Sequence, residues 1–112
     1  MATIFGFLRA VEQRPFMYLG GDRVDNDLLR RLELVILGYE YALCQHDIKE
    51  PGMDFLRAFA EYLRRTGGTR SWSMSCGVIA AVIEHSEGET AAWDKFWHLL
   101  WTFQRECFPA QG

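Results

Sequence analysis

Hydrophobic residues along this chain recur mostly at the three-and-four spacing of one helical face. In the segment 3–13, Ile4, Phe7, Leu8 and Val11 fall at i, i+3, i+4 and i+7, with Thr3 placed to cap the helix start. Arg14-Pro15 ends the pattern, because a residue before proline is pushed out of the α region. Residues 16–21 then read as an extended or turn segment closed by Gly20-Gly21. The longest pattern starts at Asp25 or Asn26, good caps with Asp27 in the first turn, and carries Leu28, Leu29, Leu32, Val35, Ile36, Tyr39 and Leu43 on one face. Gly38 interrupts it at a cost of about 1 kcal/mol relative to alanine, which predicts the close approach of another helix there.

Residues 45–52 form a polar connection, and Pro51 prepares the next start. A third helix over 53–65 places Phe55, Leu56, Phe59 and Leu63 on one face and stops at Gly67-Gly68. The segment 71–83 is ambiguous: Trp72, Met74, Cys76 and Val78 alternate with small polar residues or glycine as in a strand, yet 78–83 is continuously apolar. Its lack of charge and of a partner strand favours a buried helix, since an isolated strand leaves its backbone groups unsatisfied. Ser86-x-x-Glu89 fits a capping box, and the last helix shows Trp93, Phe96, Trp97, Leu100, Phe103 and Cys107 before Pro109 ends it. The expected architecture is all-α, about five helices around one aromatic-rich core, in a single domain over 1–112.

Composition agrees with a folded domain. At 49% hydrophobic and 14% aromatic, the chain carries far more apolar surface than a disordered segment. A formal charge of -3 argues against a general nucleic-acid binder, whose affinity comes from a basic face. Of the 12 basic residues, Lys49 and Lys95 alone are lysines, so arginine, suited to fixed bidentate pairing, dominates. The cysteines Cys44, Cys76 and Cys107 are odd in number and widely spaced, which predicts reduced thiols and a cytoplasmic location. The N-terminal stretch has no basic leader or cleavage site, and no run of residues is long and apolar enough for a membrane span.

The candidate chemistry is sparse. Cys44 with His46, Cys76 with His85 and Cys107 with His98 are nucleophile–base pairings by proximity only, and buried thiols are the simpler expectation. The three histidines lack the spacing of a zinc site, and no cofactor or metal is expected. Glu84, Glu87, Glu89 and Asp94 make the clearest acidic patch, either a solvated helix end or a docking surface for a basic partner. Glu40, Asp47, Glu50 and Asp54 make a second one near the connection between the second and third helices. Arg57, Arg64, Arg65 and Arg70 form an opposite patch, read as a solvated face, and Trp93, Trp97 and Trp101 read as core.

One string stands out, Arg14-Pro15-Phe16-Met17-Tyr18-Leu19-Gly20 after a short helix. It is similar to the Arg-Pro-Gly-Met-Tyr-Ile-Gly box of the ATP-binding subunit of type II topoisomerases, but the Asn and the Gly-x-Gly cradle that complete that nucleotide site are missing here. The order of motifs over nearly the whole chain resembles another group. After the Arg-Pro-x-Met-Tyr-Leu-Gly string comes a helix with Gly38, Tyr39, Ala42 and Leu43, then a Phe-rich helix from Phe55, then Ser71-Trp72, then Ala91-Ala92 before Phe96, Leu100 and Phe103. This resembles the immunity proteins of contact-dependent growth inhibition and related polymorphic toxin systems, with a departure at Phe16, where Gly is common.

The resemblance implies a protein that binds the toxic C-terminal domain of one cognate toxin in the cytoplasm and blocks it. If the toxin is a nuclease with a basic cleft, the two acidic patches are the expected contacts. Tyr18, Gly20, Gly38 and Tyr39 are then scaffold around the packing of the first two helices. Two other classes remain open: an oligomerising module, such as a homodimer that buries the last helix around Trp97 and Trp101, and a small cytosolic enzyme built on the scattered Cys and His residues.

Overall fold

The computed structural model describes residues 3–111, so Met1, Ala2 and Gly112, the ends of the expected 1–112 unit, lie outside the described residues. Six α-helices follow one another among those residues: α1 (Ile4–Gln13), α2 (Pro15–Leu19), α3 (Asn26–Gln45), α4 (Phe55–Arg65), α5 (Val78–Glu84) and α6 (Glu89–Cys107). Five of them are the five expected from periodicity. The sixth, α2, replaces the expected turn over 16–21. Arg14 breaks the helical path as a pre-proline residue should (φ -138°), but Pro15 is itself pre-set for the first helical position, so the chain restarts at once.

The buried faces follow the spacing in the main, with Phe5 buried and Phe7 half-buried in α1, Tyr62 buried and Leu56 half-buried in α4, and Cys107 exposed at the end of α6. Leu28, Leu29, Leu32, Ile36 and Leu43 of α3 are buried, as are Phe55, Phe59, Tyr62 and Leu63 of α4. At the centre, Phe59 meets Phe103 at 5.1 Å between ring centroids and Phe96 edge-on at 6.0 Å, while Phe55 meets Phe5 edge-on at 5.7 Å. Rings of α1, α4 and α6 thus meet at separations and tilts that suit the aromatic quadrupole. α3 packs against α4, α5 and α6 around this cluster. Trp93 and Trp97 are buried, and Trp101 stacks on Trp97 at 5.8 Å.

Local departures from expectation have local causes. In the segment 71–83 only Val78–Glu84 is helical; the preceding stretch is neither strand nor helix, and Gly77 leaves it at φ +98°, a conformation that favours glycine. Met74 nevertheless drops into the core. The Ser86–Glu89 capping box does not form: Ser86 Oγ donates back to the Val82 carbonyl at 2.5 Å, and Gly88 is the N-cap of α6. The third helix starts at Phe55, not Met53, because Asp54 is in the left-handed region (φ 53°). Gly38 is exposed, with no other chain segment near it; the close approach expected there occurs at buried Gly52, where a Cβ would lie 2.8 Å from Leu43 Cδ1 and Tyr39 Cε1.

Candidate functional site

The eight acids singled out in the sequence divide into those that hold the fold together and those that face solvent. Glu50 turns inward. Its carboxylate accepts from the Ile4 backbone N–H at 3.3 Å, the Tyr39 hydroxyl at 2.5 Å and the Gly52 N–H at 2.6 Å. It therefore serves the start of α1, where Thr3 makes no side-chain cap bond. Burial first, then Glu50, push the Tyr39 phenol well above its ordinary pKa.

Glu40 does the same for α4, accepting from Leu56 N–H at 3.1 Å where Asp54 makes no side-chain cap bond. Its partial burial raises its pKa, with the helix-terminal N–H groups of Leu56 and Phe55 opposing and Asp54 adding to the rise. Glu89 Oε1 accepts from Asn26 N–H at 3.2 Å, at the start of α3. There the expected cap also forms: Asp25 Oδ1 accepts from Leu28 N–H at 2.8 Å, and that bond, outweighing burial and helped by Arg23, holds the carboxyl below its usual pKa. Three helix starts are thus satisfied by carboxylates from other parts of the chain.

The remaining acids are exposed. Asp47 pairs with Lys49 at 3.0 Å and Asp54 with Arg57 at 3.1 Å, both fully at the surface, where such pairs contribute little. Glu84, Glu87 and Asp94 lie around the connection from α5 to α6, exposed and without an ion pair among the described residues. Beside them, Lys95 Nζ donates to the His85 carbonyl at 2.6 Å and sits over the Trp72 ring, which stacks on the His85 imidazole at 4.5 Å. This stack ties the non-helical stretch before α5 to the end of that helix. Sequence spacing alone could not place Trp72 against His85.

The thiols are not where the sequence suggested. Cys44, Cys76 and Cys107 are all exposed, because each lies on an outward face or at an element's end. None hydrogen-bonds a histidine among the described residues. No group of three His, Cys, Asp or Glu among them is placed to hold a metal ion, and no helix is long and apolar enough to cross a membrane. The breadth of α6 is covered within the chain: Trp101 Nε1 donates to Glu12 at 2.9 Å and its ring lies under the Arg9 guanidinium at 4.5 Å.

The scaffold reading of the Arg-Pro-x-Met-Tyr-Leu-Gly string has a geometric counterpart. Phe7 is held between Tyr18, edge-on at 5.8 Å, and Tyr39, stacked at 5.8 Å. Gly20, at φ +78°, turns the chain beside Arg31, whose guanidinium donates to the Leu19 carbonyl at 3.1 Å. Compared with known proteins, the chain matches no family model, no curated protein and no solved structure.

Proposed function

We propose that this chain is an immunity protein of a contact-dependent or related polymorphic toxin system. In the bacterial cytoplasm it binds the toxic C-terminal domain of one cognate toxin, a nuclease with a basic cleft, and blocks its active site by stoichiometric occlusion. The order of motifs from Arg14 to Phe103 supports the family reading. The observation that carries the contact surface is the set Glu84, Glu87 and Asp94, exposed and unpaired among the described residues, whereas Glu40, Glu50 and Glu89 are engaged with backbone donors. A carboxylate with no fold partner keeps its charge available to a basic surface, which speeds encounter and fixes orientation.

The test uses the C-terminal domain of the protein encoded immediately upstream, produced with its active site inactivated. The expected result is a stoichiometric complex. Glu84→Lys/Glu87→Lys/Asp94→Lys weakens it by about tenfold or more at low salt and by less at about 0.5 M salt, as screened attraction requires. Unchanged affinity in that variant and in Asp47→Lys/Asp54→Lys sinks the electrostatic reading.

A further inference from the structure

The outward side of α3 carries a line of apolar residues that stays exposed among the described residues, its Leu37 and Tyr41 bordering a hollow shared with Met53 and Asp54. Leu34, Leu37 and Tyr41 follow one another at i, i+3 and i+7 opposite the core face, and Ile48 continues the line just past the helix end; they are 68%, 47%, 67% and 49% exposed. Together they present on the order of 400 Å² of apolar side chain, within the range of the largest patch on an ordinary monomer, which is often functional. Gly38 sits in the middle of this face, and a Cβ there would meet nothing within 4 Å. A glycine inside a long helix costs about 1 kcal/mol relative to alanine, and no contact within the chain accounts for it.

We propose that α3 pairs with α3 of a second copy of this chain in an antiparallel crossing centred on Gly38. Glycine lets two helix backbones approach closely, and a twofold axis at this position makes the stripe its own complement. Residues before Gly38 then face residues after it, so Leu34 packs against Tyr41 of the other copy. Arg30 comes opposite the other copy's helix end, just past which lies Asp47. Arg30 is exposed with no ion pair among the described residues, and Asp47 has only its exposed neighbour Lys49. A parallel pair would instead set Arg30 against Arg30 and Asp47 against Asp47, which like-charge repulsion disfavours. Leu34, Leu37 and Tyr41 carry no charge, and the carboxylates that border them are already engaged, Glu40 with the Leu56 N–H and Asp54 with Arg57, so an identical stripe matches this one. Exposed Arg30, Ala42 and Gln45 border the stripe and widen the surface that a second copy would cover.

The dimer shares Asp47 with the second acidic patch but not Glu84, Glu87 or Asp94, and its test needs no toxin. Sedimentation equilibrium of the full chain from about 1 µM to about 100 µM is expected to show the mass rising toward twice 13.0 kDa. Leu34→Glu/Tyr41→Glu is expected to stay at the single-chain mass with an unchanged circular dichroism spectrum. If that variant misfolds, Arg30→Asp alone is expected to weaken dimerisation and Arg30→Asp/Asp47→Arg to restore it. With the three exposed cysteines replaced by serine, Gly38→Cys is expected to form a disulfide-linked dimer and Arg30→Cys not, because only positions at the axis meet their own copies. A single-chain mass at every concentration, a dimer that survives in Leu34→Glu/Tyr41→Glu, or preferential cross-linking of Arg30→Cys overturns the proposal.

Discussion

At Glu50 a single carboxylate serves the Ile4 and Gly52 N–H groups and the Tyr39 hydroxyl. Removing it strands three partly buried donors, so Glu50→Ala is expected to lower unfolding free energy by about 2–3 kcal/mol in urea titration, and a loss below about 0.5 kcal/mol would show that water replaces it. Two glycines give opposite expectations. Gly52→Ala forces a Cβ against Tyr39 and Leu43 and is expected to destabilise by about 1–3 kcal/mol, while Gly6→Ala, in open space on α1, stabilises by about 0.5–1 kcal/mol; paired urea titrations compare them. Glycine letters look alike in a sequence. Their neighbours, here Tyr39 and Leu43 folding back onto the connection before α4, decide the sign.

Among elements, what was legible is what repeats. The faces of α1, α3, α4 and α6 follow from apolar spacing, and the Asp25 cap of α3 from its residue type next to that pattern. Asp25→Ala is accordingly expected to lower the melting temperature, because the Leu28 N–H loses its cap. The caps from Glu50, Glu40 and Glu89 were not legible, because they reach across 46, 16 and 63 residues of sequence. The sequence marks those same residues as contact acids, and only the fold shows that an N–H lies in reach of each. The irregular stretch before α5 was illegible for a related reason. Its order comes from Met74 in the core and Trp72 on His85, both tertiary.

For the whole molecule, one coupling of stability to pH follows from the tie between α4 and α6. Tyr62 donates to Glu106 at 2.5 Å, and burial, followed by that carboxylate, pushes its phenol up to about 12 from 10.0. Between those values the folded chain keeps a proton that the unfolded chain releases, so stability falls as pH rises through this window. Tyr62→Phe is expected to flatten that fall, measured as urea midpoints across the alkaline range; an equal slope in both proteins would remove Tyr62 as its cause. Around its aromatic interior the molecule carries an apolar stripe on α3, exposed apolar residues at Phe16, Met17 and Tyr18, and an acidic rim at Glu84, Glu87 and Asp94. The rim is the face proposed to meet a toxin. Isothermal titration of the inactivated upstream toxin domain into this chain tests that assignment directly: a saturating one-to-one complex, weakened by Glu84→Lys/Glu87→Lys/Asp94→Lys, is the predicted result, and no binding heat together with no protection of cells producing the active domain would contradict it.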